Sequence, residues 1–463
     1  AGAGRGRADR GDRAVARKGQ MMGGHVGLAR NLATAATLTV LLGGCLADGL
    51  SSLNPFSRPE EILPGERQAV MAMAAEQAEG SPAIAAAAGT ADWPQPGGNA
   101  ANDPGHVSLA ASSGAPAWSV RAVESSGKKD ARGAAPPIIH GGRLYAYGAG
   151  GTVTALTTSG ARAWSVSVAP EGERTRSSGG GLAAAGEAVF AATGFGDLVA
   201  LNAATGQRLW SYKLGAGARS APTAAAGKVF VVSATGVLHA VNVADGSQAW
   251  TLPGIPETAG VLSSASPAVA GGTVVVPYTS GEIIAVDAET GEMKWADAVV
   301  RSSRVLAVST LTDVAASPVV HDGVVYATGV AGRTIAVRLS DGERLWEENI
   351  GSASTPVVSG NALFMIDLQD NLLALDRSTG KVFWRTPLPS VRKKRFFSVW
   401  TGPTLAGGRL WAVANNGQLI GADPASGQIA VQRTLPKPAL IKPVAASGRL
   451  YVQLQDGTVS ALQ

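Results

Sequence analysis

Ala200-Leu201-Asn202-Ala203-Ala204-Thr205-Gly206-Gln207-Arg208-Leu209-Trp210 decides the fold. An alternating apolar run ends at Asn202, a Thr-Gly turn follows, and a tryptophan stands four residues after the glycine. The same Gly-to-Trp spacing recurs as Gly160/Trp164, Gly246/Trp250, Gly291/Trp295, Gly342/Trp346 and Gly380/Trp384, and a last copy, Gly427/Val431, has lost its indole. The mean step is about 44 residues, a period at which chains build solenoids or propellers.

Working outward from the turn, each unit has the same interior. Before the turn lies an alternating strand such as Asp197-Leu198-Val199-Ala200-Leu201 or Glu282-Ile283-Ile284-Ala285-Val286, and before that another such as Lys228-Val229-Phe230-Val231-Val232. Pro136, Pro222, Pro267, Pro318, Pro356, Pro403 and Pro443 open the first strand of most units, a position where a missing N–H costs the ladder nothing. Glycine in the turns Thr205-Gly206, Asp245-Gly246, Thr290-Gly291 and Thr379-Gly380 suits tight hairpins, because it accepts positive φ. Four short strands at this period make a propeller blade.

The two ends of the chain complete one another. The last unit, from Pro443, offers three strands before Gln463, and Ala117-Trp118-Ser119-Val120 is a Trp-bearing strand with no blade before it. The sequence therefore predicts an all-β, eight-bladed β-propeller of four-stranded antiparallel blades, its ring closed by pairing an N-terminal strand with the C-terminal blade. Closure also removes open sheet edges. Trp118, Trp164, Trp210, Trp250, Trp295, Trp346 and Trp384 are expected to pack between neighbouring blades.

Composition limits the function. Among 463 residues, 45% are hydrophobic, which excludes wholesale disorder. The single cysteine, Cys45, excludes an intrachain disulfide framework and a CxxC site. The net charge of +5 comes entirely from residues 1–44, which hold seven basic and two acidic groups; the remainder is neutral, with 32 of each. With residues 1–44 removed, the mature chain would have no basic excess to attract nucleic acid.

Residues 1–20 are Arg/Gly/Ala-rich and precede Met21 and Met22, the more plausible translation start. Arg30, an apolar run over residues 32–42 and then Gly43-Gly44-Cys45 read as a secretory signal; the run is too short to span a bilayer, which takes about 20 residues. Leu42-Gly43-Gly44-Cys45 resembles the bacterial lipoprotein lipobox, which implies cleavage before Cys45 and lipidation of its sulfur. Leu46 follows it, which by the enteric sorting rule implies the outer membrane. The expected organisation is an upstream extension and lipoprotein signal peptide over residues 1–44, a lipidated Cys with an Ala/Pro-rich tether over 45–92, and the propeller over 93–463.

The Ala-x-Asp/Asn-x-x-Thr/Ser/Asp-Gly-x-x-x-Trp pattern, carried by Ala200 through Trp210 and again by Ala285, Asp287, Thr290, Gly291 and Trp295, resembles pyrroloquinoline-quinone-type propeller repeats. Two families share them: quinone-dependent alcohol dehydrogenases and the BamB outer-membrane assembly lipoproteins. The dehydrogenases carry adjacent cysteines and a calcium-binding Glu/Asn/Asp set with a catalytic Asp, for which this sequence has no matching motif. Length, lipobox, tether and blade count are similar to the BamB family, and Asp92-Trp93-Pro94-Gln95-Pro96-Gly97-Gly98-Asn99 with His106 looks like its alphaproteobacterial members. That resemblance implies a non-catalytic scaffold without cofactor or small-molecule substrate, held to the periplasmic face of the outer membrane by its lipid. Its partners would be a BamA-like barrel protein and other subunits of the assembly complex. The family's docking segments align with residues 259–266 and 310–316. Leu311-Thr312-Asp313-Val314 matches the family's Leu-Ser-Asp-Val, so Asp313 takes the acidic contact position; Val261 and Leu262 align loosely with an apolar contact motif whose arginine has no counterpart. A quinone-dependent dehydrogenase-like enzyme, or a scaffold with an unrelated partner, is the alternative.

Other groups carry less. His106, His140, His239 and His321 are dispersed, without HExxH or HxH spacing, and read as structural or exposed. Asp367-Leu368-Gln369-Asp370-Asn371 reads as a hairpin, and Ser378-Thr379-Gly380-Lys381 as the repeat's own turn. Arg392-Lys393-Lys394-Arg395-Phe396-Phe397, between the sixth and seventh units, is a solvated loop or a patch for an acidic partner or anionic headgroups.

Overall fold

A computed structural model describes residues 76–463, except 112, 125–135, 174, 176, 178, 255–264, 300–315 and 391–397. Every regular element among the described residues is a β-strand, and the strands form eight four-stranded sheets. The first blade is Ile138–His140, Arg143–Tyr147, Thr152–Thr157 and Arg162–Ser167; the second is Gly180–Ala185, Ala188–Thr193, Asp197–Asn202 and Arg208–Lys213. Five more follow in the same order, with inner strands starting at Thr223, Ala268, Val319, Val357 and Trp400.

The eighth blade is composite. Val444–Ala446, Arg449–Gln453 and Thr458–Leu462 supply three strands, and Pro116–Arg121 is the fourth, antiparallel to Thr458–Leu462 with Trp118 opposite Ala461 and Arg121 opposite Thr458. The two strands are locked at one end: Ala115 N–H donates to the Gln463 carbonyl (3.1 Å) and Gln463 N–H to that of Ala115 (2.9 Å). The ring is thus closed as the orphan strand predicted.

Burial explains the apolar runs. The second and third strands of a blade are covered on both faces by neighbouring blades, so Lys228–Val232 and Ala362–Ile366 are buried throughout. The outermost strand is covered only on alternate residues, as in Arg208–Lys213. Blades diverge with distance from the axis, and the indoles fill the widening gap. Each also makes one polar contact with the next blade: Trp118 Nε1–H donates to Thr158 O (3.0 Å), Trp164 to Ala203 O (3.1 Å), Trp210 to Val243 O (3.0 Å) and Trp250 to Ala288 O (3.3 Å). Trp295, Trp346 and Trp384 bond in the same way to Leu339, Arg377 and Pro424.

The Gly and Trp of the motif therefore do not serve each other. The turn glycine of each blade lies against the indole of the blade before it. A Cβ on Gly206 would stand 2.8 Å from Trp164, and one on Gly246 would stand 2.6 Å from Trp210. This geometry accounts for Val431. The turn that would receive its indole would join the third and fourth strands of the composite blade, and there no turn links them, because the fourth strand is Pro116–Arg121. The seventh blade instead carries Trp411 on its second strand, opposite Gly421 and 1% exposed. Other blades place Tyr145, Phe190, Phe230, Tyr326, Phe364 or Tyr451 on that strand, against their own tryptophan at 5.7–6.1 Å between ring centroids.

The prolines stand just outside the inner strands, with one exception. Pro222, Pro267, Pro318, Pro356 and Pro443 immediately precede them, and Pro136 lies two residues before Ile138. Pro403 instead falls inside Trp400–Ala406, after a cis peptide bond, where the register shifts between Thr401 and Thr404.

Candidate docking faces

The segment leading into the composite blade binds one end of the ring. Ala83 and Asn361 of the sixth blade exchange hydrogen bonds (2.7 and 3.1 Å). Trp93 pairs by its backbone with Ile139 of the first blade, and Ala184 N–H of the second donates to Pro94 O. Gln95 uses both ends of its amide on Ala224 of the third. Val269 and Val320 N–H, of the fourth and fifth, donate to Ala100 and Ala101. Val107 then pairs with the seventh blade at Leu405 and Gly407, and Ala110 N–H donates to Gly448 O of the eighth. This strap contacts the inner strand or inner hairpin of every blade. It includes residues 76–92, which the sequence assigned to the tether.

Its side chains reach inward. Trp93 is 1% exposed, and Asn102, equally buried, donates to the carbonyls of Pro267 (3.3 Å) and Pro318 (2.9 Å). Three of the four dispersed histidines pin it. His106 Nε2 accepts from Gly408 N–H (2.9 Å), so Nδ1 carries the proton and donates to Ala85 O (2.9 Å). His140 bonds Gly186 O and lies 3.3 Å from Asp92. His321 Nδ1 is 2.6 Å from Asp103 Oδ2, and its Nε2 is 3.1 Å from Asp322. Burial pushes the Asp103 carboxyl up, against the pull of His321. The fourth, His239 of the third blade, lies 3.1 Å from the Tyr212 hydroxyl of the second blade, and burial lowers its pKa.

The opposite face carries the ends of the outer strands and the starts of the next inner strands. Cys45, Val261, Leu262, Asp313, Arg392, Lys393, Lys394 and Arg395 all lie outside the described residues. The roots of their segments are described. Residues 255–264 end at Ala265 and Ser266, and residues 300–315 at Ala316 and Ser317, all buried. Ser266 N–H donates to Ser317 Oγ (2.9 Å), and Ser317 N–H to Thr355 Oγ1 (3.1 Å). The roots of the two predicted docking segments are therefore bonded to each other. The basic segment is rooted by Trp400, whose indole N–H donates to Pro389 O (3.1 Å). Lys442 precedes the eighth inner strand on this face, and burial lowers its amine to about 8.

The acidic-amide cluster is a turn. Asp367 Oδ1 accepts from the backbone N–H of Gln369 (2.9 Å) and Asn371 (2.8 Å), and Ser378 likewise caps onto Asp376 in the repeat's turn. The strap was the feature missed in the sequence. Its signal was Trp93, Gln95 and Asn102, large or polar residues in a Pro/Gly-rich stretch without period.

Comparison with known proteins fits this architecture. The family model described as outer membrane protein assembly factor BamB matches residues 99–178, 149–386 and 391–463. The BamB of Salmonella typhimurium is 30% identical over 199 residues, 43% of this chain and 49% of that protein; the BamB of Shigella dysenteriae is 29% identical over the same shares. The matched region spans about half the length of these relatives. The crystal structure of BamB from Moraxella catarrhalis superposes with a TM-score of 0.63 at 20% identity, covering 75% of this chain and 99% of that one. The quinohemoprotein alcohol dehydrogenase of Comamonas testosteroni superposes equally well, with a TM-score of 0.65 at 16% identity over 81% of each chain, so likeness of shape establishes the fold alone. The family match spans the whole ring, and by it this chain belongs to the family of the outer membrane protein assembly factor BamB.

Proposed function

We propose that this chain is a non-catalytic scaffold lipoprotein of the outer-membrane β-barrel assembly complex. Cys45 carries the lipid that holds it to the periplasmic face of the outer membrane. Two acyl chains anchor stably where one holds marginally. The segments bearing Val261, Leu262 and Asp313 dock a BamA-like barrel protein, and Arg392, Lys393, Lys394 and Arg395 add a basic contact for an acidic surface. In this way the propeller assists insertion of outer-membrane proteins together with the other subunits.

The observation that carries the reading is the pairing of the two segment roots, Ser266 on Ser317, on adjacent blades of a family member. Roots bonded in this way support a docking surface drawn from both segments. The test is an affinity pull-down of the full chain from detergent-solubilised membranes. A large β-barrel protein co-purifies, Leu262→Asp and Asp313→Arg each reduce its yield, and Cys45→Ser moves the chain out of the membrane fraction. Undiminished capture in both docking variants would refute the assigned face, and bound quinone absorbance in the purified protein would favour the dehydrogenase instead.

A further inference from the structure

The third-to-fourth strand hairpin of each of the first seven blades carries a bulge, and one residue stands at its crest. In register these are Ala163, Leu209, Ala249, Lys294, Leu345, Phe383 and Ala430 in blades one to seven. Two of them have opposite fates. Phe383, in the sixth blade, is 8% exposed, whereas Leu209, in the second, is 52% exposed.

The strap makes the difference. Ala78 N–H donates to Val382 O (2.9 Å) and Val382 N–H to Glu76 O (3.0 Å), a parallel bridge onto the outer edge of the sixth blade. The chain then crosses to the inner hairpin, where Ala83 bonds Asn361 and Ala85 N–H donates to Ser359 Oγ (3.1 Å). Ala78 and Ile84 pack on the cluster that buries Phe383.

The second blade repeats the edge of that seat but not its polar hairpin contacts, because Ala185 and Glu187 stand where Ser359 and Asn361 bond the strap. Arg208 pairs with Leu201 as Val382 pairs with Leu375, so its N–H and C=O face outward in the same way. The hairpin of residues 185–188 corresponds to 359–362. Between the second and third blades lies an open groove of about 360 Å³, lined mainly by apolar groups that include Ala188, Leu209, Ala225 and Val243. No described residue fills it. Gln207 stands where Lys381 holds Glu76 (2.8 Å), so the seat lacks the one charge contact of its counterpart.

We infer that this groove docks an extended segment of a partner protein, uncharged at its start and rich in small apolar side chains, laid along the outer edge at Arg208 and covering Leu209. The occupied seat on the sixth blade is the template for the bound form, a strand-addition mode in which backbone bonds give affinity and small pockets give selectivity. This docking goes beyond the membrane scaffold reading and does not rest on it, because it uses a different edge of the ring.

A fluorescein-labelled peptide with the sequence of residues 77–85 serves as the probe, titrated with the full chain by fluorescence anisotropy. Saturable binding at one site is expected. Leu209→Glu should weaken it about tenfold or more, because a carboxylate replaces a covered leucine. Arg208→Pro should weaken it by removing one outward donor, and Ala249→Glu, at the same bulge of the next blade, should leave it unchanged. Unaltered thermal melting of the variants checks that they fold. Absence of saturation, or equal binding by Leu209→Glu, overturns the inference. Dimerisation abolished by Leu209→Glu would give the groove to a second copy and overturn the assignment to a partner.

Discussion

Adding one methyl group at Gly246 should loosen the joint between the second and third blades. Gly246 has φ +75°, and its added Cβ would stand 2.6 Å from Trp210 Cδ2, about 1 Å inside normal carbon contact. Gly227, in the same blade, has φ +73° with nothing within 4 Å of the added atom. Gly227→Ala therefore costs only the left-handed conformation, about 1–2 kcal/mol. Gly246→Ala costs that, plus about 1–3 kcal/mol for overpacking. As the indole moves, it also loses part of the bond to Val243 O, worth about 1 kcal/mol. The expected excess over the control is about 1–4 kcal/mol. In a Trp210→Ala background the excess should vanish, because nothing remains for the methyl to meet. Urea denaturation of the four variants and the parent gives the cycle, with midpoints compared directly if unfolding is not two-state. Equal loss in Gly246→Ala and Gly227→Ala, or an excess that survives removal of Trp210, would refute the interlock.

Three further outcomes follow from the same geometry. Trp93→Ala should cost about 3–5 kcal/mol, the range for a fully buried tryptophan, and should expose residues 92–110 to limited proteolysis before the blades open. Trp210→Ala should cost less than that, because its indole is only half-buried, and Trp295→Ala, at 8% exposure, should cost more than Trp210→Ala in the same melt. Lys442→Met should raise the melting temperature at pH 7. The native amine titrates near 8 against 10.5 in the unfolded chain, so its desolvation cost is full below pH 8 and fades as pH rises to 10.5; the gain from the substitution should fade over the same window.

The sequence by itself determined the ring. Blade count, four strands per blade and closure by Trp118 are all legible, because each depends on local signals: turn glycines, alternation and an indole at fixed spacing. A repeat forces the same local answer wherever it recurs. Candidate sites were legible only as alignments: Val261, Leu262, Asp313 and the Arg392–Arg395 run have positions in the chain but no period that reports what they touch. Tertiary structure alone decided three things. It showed that Gly206 answers Trp164 and not Trp210, because that contact joins residues of different blades. It explained Val431 by the absence of a turn in the composite blade, whose outer strand is the distant segment Pro116–Arg121. It also drew residues 76–110 across all eight blades, by backbone bonds from Trp93, Pro94, Ala100 and Val107. Backbone donors and acceptors are alike at every residue, so composition leaves no trace of such a strap, and only the folded ring brings its partners within reach.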